Sequence, residues 1–132
     1  MGRAVNLTHF FMKYIAILFF VFIVAVIVLA DMDHLPHFIR AIYDFPYGDK
    51  LGHFTLFGLL NFFITSAFLS SNPSRPRGWV VLSVGLILAV LVTAEEFSQK
   101  NFSSRTFDLL DLLASCVGVA VGGWTAWKIK IP

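Results

Sequence analysis

The chain has 132 residues, of which 58% are hydrophobic and 14% are charged, and its mean hydropathy is +0.79. Soluble domains contain roughly 45–50% apolar and about 25% charged residues. This composition therefore excludes an ordinary water-soluble domain, and it equally excludes a disordered chain or a coiled coil. The net charge of +2 is too small to indicate a nucleic-acid partner. A single cysteine, Cys116, excludes an intrachain disulfide.

Four apolar segments predict an all-α bundle of four transmembrane helices that forms a single domain over residues 1–132. A hydrocarbon core of about 30 Å requires about 20 helical residues, and polar or proline-containing stretches separate segments of about that length. The first segment could instead be a signal peptide, but its apolar stretch exceeds the usual length of roughly 7–15 residues, which favours an uncleaved helix. The predicted spans are approximately residues 10–30, 51–70, 79–96 and 106–127.

The basic residues divide unequally between the two membrane sides that four crossings define. Six lie on the side of the two termini, namely Arg3, Lys13, Arg75, Arg77, Lys128 and Lys130. The other four are Arg40, Lys50, Lys100 and Arg105. All eight acidic residues also lie on this second side. Because basic residues favour the cytoplasmic side, the bias predicts a multi-pass protein of the bacterial cytoplasmic (inner) membrane with both termini in the cytoplasm.

Three polar clusters lie where the predicted helices meet that second side. Loops after the first and third of four spans emerge on the same membrane side, so we expect the clusters to converge at one surface, in an outward-facing polar cavity. Polar groups at membrane depth are costly and usually face a bundle interior or a wet cavity. The clusters are Asp49, Lys50 and His53; Glu96 and Gln99; and Arg105, Asp108 and Asp111.

The residue types in these clusters are those of a catalytic site. Asp49 and His53 are four residues apart and share a helix face, so Asp49 is expected to orient His53 as a general base that exchanges protons near neutral pH. Glu96 and Asp111 are the further candidate catalytic residues.

The same clusters predict a binding function for a charged group. Lys50 and Arg105 could hold an anionic headgroup, with Gln99 as a further substrate-binding residue. Carboxylate oxygens suit Mg²⁺ or Ca²⁺ and an added histidine would allow Zn²⁺, so a divalent cation is a candidate cofactor. Its expected ligands are Glu96, Asp108 and Asp111.

Each residue also has a structural interpretation. Asp49, Asp108 and Asp111 lie at predicted helix N-termini, where carboxylates cap backbone N–H groups. Arg105 could pair with Asp108, and Lys50 could extend its ammonium group to the lipid headgroups.

A stripe of small residues in the fourth span has a packing interpretation. Gly118 and Gly122 form a small-xxx-small pattern, with Ser115 on nearly the same stripe. Such residues allow close approach of transmembrane helices.

The order and spacing of these motifs resemble the VanZ-like family of small bacterial membrane proteins. The motifs are Asp-Lys-x-x-His at 49–53, Glu-x-x-Gln at 96–99, an arginine at 105 followed by Asp-x-x-Asp at 108–111, and the glycine-bearing helix at 118–122. The resemblance covers residues 10–127, with Ser115 where family members often carry asparagine. The family is named for a member associated with resistance to the lipoglycopeptide teicoplanin, so the resemblance implies a cell-envelope function connected with antibiotic resistance.

Three functions remain open from the sequence. The first is an enzyme that modifies an anionic lipid or an envelope or lipoglycopeptide headgroup. The second is a protein that binds such a lipid or antibiotic without turnover. The third is a small transporter or channel subunit, which would require a homo-oligomer. The expected partner is a membrane lipid or lipid-linked envelope molecule.

Overall fold

The computed structural model describes residues 2–103 and 105–129, and within these ranges it contains helices and no strand. A 3₁₀ turn, Gln99–Asn101, continues the fourth helix. Lys130, which contributes to the charge bias above, lies outside the described residues. The helices are α1 (Gly2–Asp31), α2 (His37–Tyr43), α3 (Gly48–Ser71), α4 (Arg77–Ser98) and α5 (Leu109–Lys128).

Four of these helices are long and apolar enough to cross a membrane, which confirms the prediction of an all-α four-span bundle. The spanning segments contain 20–25 residues each, which matches the thickness of a hydrocarbon core. Helix α2 is a short element between the first two spans. The spanning segments are Leu7–Asp31, Gly48–Ser71, Arg77–Asn101 and Leu109–Lys128.

The fourth span begins later than the sequence suggests. Helix α5 starts at Leu109 rather than at residue 106, because Asp108 is its N-cap and has an extended backbone (φ −132°, ψ 114°). The Asp108 side chain accepts a hydrogen bond from the backbone N–H of Leu110 at 2.8 Å. This bond satisfies one of the N–H groups that the first helical turn leaves without a partner. Asp108 is therefore a cap residue and not a member of the first turn.

Helix α3 is the central helix of the bundle and packs against α1, α4 and α5. Its contact with α5 is the most extensive in the bundle, and the two backbones approach closely there. A Cβ atom on Gly118 would overlap the backbone carbonyl of Phe54, and one on Gly122 would overlap that of Gly58. Both glycines of the small-xxx-small pattern thus lie at the α3–α5 contact, where only the absence of side chains allows the two backbones to approach so closely.

The centre of the bundle combines an apolar core with one polar link. Asn61 on α3 donates a hydrogen bond to the backbone carbonyl of Val119 on α5, and Thr65 donates to the Asn61 side-chain oxygen at 2.7 Å. Because buried polar groups in a membrane need partners, the bond to Val119 holds α3 and α5 in register, and the bond within α3 satisfies the Asn61 side-chain oxygen. The surrounding apolar core consists of Ile23, Phe57, Leu60, Leu88, Val92 and Val119.

Candidate functional site

The end of α1, the start of α3, the end of α4 and the start of α5 meet at one end of the bundle. Side-chain contacts join them directly. Arg105 forms an ion pair with Asp31 of α1, with 3.1 Å between Nη1 and Oδ1. Lys50 of α3 contacts Asp111 of α5 at 3.2 Å. The three polar clusters predicted from the sequence are therefore brought together in space.

The Lys50 ammonium group lies among three carboxylates. Its Nζ atom is 3.0 Å from Asp108, 3.2 Å from Asp111 and 3.2 Å from Asp49. The hydrogen bond from Lys50, followed by the one from the Leu110 backbone N–H, lowers the pKa of Asp108 below its usual value. Lys50 thus forms ion pairs with carboxylates of the protein, whereas the sequence analysis predicted that it binds an anionic ligand.

Among the residues that the structure describes, the same three carboxylates form an acidic group with the spacing of a metal site. Their nearest oxygens lie within 4.8 Å of one another, close enough to share one cation. Lys50 supplies that positive charge from within the chain. The predicted ligand set differs in one member, because Asp49 and not Glu96 joins Asp108 and Asp111.

Glu96 does not join this group of carboxylates and instead links the end of α4 to the start of α5. Its side chain is only 1% exposed, and its two oxygens accept hydrogen bonds from the Asp108 backbone N–H at 3.0 Å and from Gln99 Nε2 at 3.2 Å. Gln99 also donates to Glu95 at 3.0 Å. A buried carboxylate requires such donors, and here they tie the end of α4 to the cap of α5.

His53 lies against α5 rather than against the predicted partner on its own helix. Its Nδ1 atom is 3.1 Å from the Ser115 hydroxyl, and its Nε2 atom is 3.7 Å from the Asp111 carboxylate. The Asp49 carboxylate contacts Lys50, and no bond between Asp49 and His53 occurs within residues 2–103 and 105–129. The expected orientation of His53 by Asp49 is thus replaced by contacts with Asp111 and Ser115, because the imidazole points across the α3–α5 contact. Ser115, predicted as a packing residue, is fully buried and also contacts the imidazole.

Arg105 pairs with acidic residues of α1 and α4. Besides the contact with Asp31, its Nη2 atom lies 3.8 Å from Glu95. The alternative pairing with Asp108 is not found, because Lys50 occupies that carboxylate. Asp31 was missed as a site residue, although its position at the acidic end of the first span was a usable signal.

A cavity of about 760 Å³ opens among these groups and has walls of opposite character. Its volume is within the range of ligand pockets, roughly 300–1,000 Å³. Ile23 and Phe57 belong both to this cavity and to the apolar core, so the core closes its inner end. The apolar wall consists of Ile23, Val26, Ile27, Leu56 and Phe57. The polar wall consists of Asp49, His53, Glu95, Gln99, Arg105 and Asp111. The segment between α1 and α3 adds Asp33, Leu35, Arg40, Asp44 and Phe45.

The chain was compared with family models, with curated proteins and with solved structures, and none of them matches it.

Proposed function

We propose that this protein binds the headgroup and adjoining chain of a membrane amphiphile, either a lipid or a lipid-linked envelope molecule. The observation that carries the proposal is that one cavity joins an apolar wall on α1 and α3 to a polar wall on α3, α4 and α5. The headgroup of an amphiphile needs polar surroundings, and the hydrocarbon chain next to it needs apolar surroundings only a few ångströms away. A ligand that is polar throughout would leave the apolar wall unused.

The position of the cavity supports this proposal over transport. The cavity lies at the end of the bundle where the acidic residues gather, and residues of the apolar core line its inner end. Charged groups at a helix end lie at the depth where lipids present their own polar groups. Binding at one surface therefore fits the arrangement better than passage across the membrane.

A second candidate function, chemistry on the bound headgroup, is favoured by the setting of His53. The imidazole lines the cavity, and both of its nitrogens face polar partners, the Ser115 hydroxyl and the Asp111 carboxylate. A histidine oriented by a carboxylate is the usual arrangement of a general base. With Nδ1 donating to the Ser115 hydroxyl, Nε2 keeps its lone pair and can take a proton from a headgroup hydroxyl or a bound water, and the Asp111 carboxylate 3.7 Å away would stabilise the imidazolium that forms.

The resemblance to VanZ-like proteins adds lipoglycopeptide antibiotics to the candidate ligands. A lipoglycopeptide is also an amphiphile, because it carries a lipid chain on a polar scaffold. The charge bias of the loops supports a cavity that opens outward, where both lipid-linked precursors and such antibiotics would reach it. We propose the bacterial cytoplasmic membrane as the location on these grounds.

Native mass spectrometry on lipid-depleted protein tests the binding proposal. The probes are dioleoyl phosphatidylglycerol and dioleoyl phosphatidylethanolamine, titrated in maltoside micelles. We expect the wild-type protein to retain one lipid of at least one headgroup type at concentrations where further lipids dissociate.

Substitutions at two glycines provide a variant with an obstructed cavity and its matched control. Gly52 lines the cavity, and a Cβ atom there meets no atom within 4 Å, so Gly52→Phe should place an aromatic ring in the cavity and narrow it without disturbing the helices. Gly85 is equally unobstructed and does not line the cavity, which makes Gly85→Phe the matched control. Loss of the retained lipid in Gly52→Phe alone would support the proposal. Equal retention by both variants would contradict it.

A further inference from the structure

The walls of the cavity carry more negative than positive charge. Five carboxylates line it, against the two guanidinium groups of Arg40 and Arg105, and adding the Lys50 ammonium leaves the excess negative. The carboxylates are those of Asp33, Asp44, Asp49, Glu95 and Asp111. We infer that the headgroup bound here carries a positive charge, and that the ligand is an ammonium-bearing amphiphile. This inference rests on the proposed binding function and reverses the anionic preference that Lys50 and Arg105 suggest in the sequence.

The basic groups at this site are already paired with carboxylates of the protein. Arg40 contacts Asp33 at 2.8 Å, and Arg105 contacts Asp31 at 3.1 Å. Lys50 has its three carboxylate partners at 3.0–3.2 Å. A phosphate or carboxylate headgroup that bound these basic groups would come close to the carboxylates already paired with them, and the negative charges would repel one another.

An ammonium headgroup, in contrast, would find carboxylates in the cavity that can accept a further positive charge. The Asp44 side chain lines the cavity and forms no ion pair in the described part of the chain. The Glu95 and Asp111 side chains are only 15% and 11% exposed, so water screens their charge less than it screens a surface carboxylate. An incoming cation can therefore approach Asp44 without breaking an ion pair, whereas Asp111 and Glu95 already contact Lys50 and Arg105 through one oxygen each.

The apolar wall and the charge excess together define the ligand class. Carboxylates alone would attract any cation, including a free metal ion. The lining of the same cavity also includes Ile23, Val26 and Ile27 of α1, and these side chains offer no favourable contact to a hydrated ion. A hydrocarbon chain with an amine at its end satisfies both walls at once.

Thermal unfolding in maltoside micelles at pH 7 tests the charge preference with three probes of equal chain length. The probes are dodecylamine, dodecanol and dodecyl phosphate, which carry a positive, a neutral and a negative headgroup. We expect dodecylamine to raise the unfolding temperature by about 4 °C at ten times its dissociation constant, and the other two to raise it less. The shift should disappear in Gly52→Phe, persist in Gly85→Phe and decrease in Asp44→Asn.

The outcomes separate the charge inference from the binding proposal. A larger shift with dodecanol or dodecyl phosphate that Gly52→Phe abolishes would overturn the charge preference and leave amphiphile binding intact. A dodecylamine shift that persists in Gly52→Phe would place the amine outside the cavity and would also overturn the inference. No shift with any of the three probes, together with lipid retention that Gly52→Phe does not alter, would overturn the binding proposal itself.

Discussion

The Nδ1 atom of His53 lies 3.1 Å from the hydroxyl of Ser115, across the most extensive helix contact in the bundle. Ser115 has no exposed surface, whereas His53 lines the cavity. The buried hydroxyl therefore holds the imidazole from the α5 side, while the imidazole still lines the cavity. Ser115 is not accessible enough to act as a nucleophile in this arrangement.

Removing this hydroxyl should weaken the fold. In Ser115→Ala the imidazole loses its hydrogen-bond partner, and we expect a loss of about 1 kcal/mol in the free energy of unfolding. Cys116→Ala on the next residue of α5 is the control, because Cys116 has no part in this bond. Equal stability of the two variants in detergent unfolding would show that the His53–Ser115 contact is not stabilising.

Lys50 should act as a built-in counter-ion that keeps metal ions away from its three carboxylates. We expect Lys50→Met to lower the unfolding temperature, because Asp49, Asp108 and Asp111 then repel one another. Addition of about 1 mM Ca²⁺, which is close to the dissociation constant of weak oxygen-ligand sites, should recover part of the loss. The wild-type protein should not respond to Ca²⁺.

The control for this variant is Lys100→Met. The Lys100 ammonium lies over the rings of Phe97 and Phe107 at 5.0 and 4.7 Å, so its removal costs a cation–π contact without leaving a carboxylate cluster. Its unfolding temperature should be independent of Ca²⁺. Stabilisation of the wild type by Ca²⁺ to the same extent as Lys50→Met would contradict the counter-ion role.

The ion pair between Lys50 and Asp108 should make stability depend on pH in a defined direction. The pKa of Asp108 is lowered in the folded protein, so this carboxylate contributes stability above its unfolded pKa. That contribution is lost as the pH falls through the folded value. Asp108→Asn retains a capping acceptor and removes the charge. We expect it to be less stable than the wild type at pH 7, with a difference that shrinks as the pH falls below the ordinary aspartate value of about 3.9 and that vanishes only below the lowered pKa of the folded Asp108. A stability difference independent of pH would contradict this.

The close contact between α3 and α5 should not tolerate side chains. In Gly118→Ala the added Cβ atom overlaps the Phe54 carbonyl, so the backbones must separate, at a cost of about 1–3 kcal/mol. Gly85→Ala meets no atom within 4 Å and should be neutral or more stable by up to about 1 kcal/mol. Unfolding by sodium dodecyl sulfate compares the two variants. Similar losses in both would mean that the helix contact is looser than described.

The orientation in the membrane can be tested by labelling single cysteines in a Cys116→Ser background. His37→Cys and Asn101→Cys lie at the cavity end, and Ser74→Cys lies in the loop at the opposite end. The charge bias predicts that the first two react with an impermeant reagent outside the cell and the third does not. The reverse pattern would place the cavity on the cytoplasmic side and rule out direct access to extracellular ligands.

The sequence by itself determined the four spans and the convergence of the polar clusters. Both depend on quantities that are local or topological. The length of an apolar run sets a crossing, and an even number of crossings places the loops after the first and third spans on one side. The packing role of the α5 glycines could also be predicted, because a repeat of small residues is a local sequence pattern that is typical of close helix contacts.

The tertiary structure alone decided which charged groups pair. Helical spacing placed Asp49 on the face of His53, but the imidazole turned across to Asp111 and Ser115. Residue spacing specifies a face of one helix, whereas an ion pair depends on how far the neighbouring helix lies and on the rotamers that packing permits. The pairing of all three cations with carboxylates of the protein, and hence the charge of the cavity, follows from those contacts between helices and is not a property of any single segment.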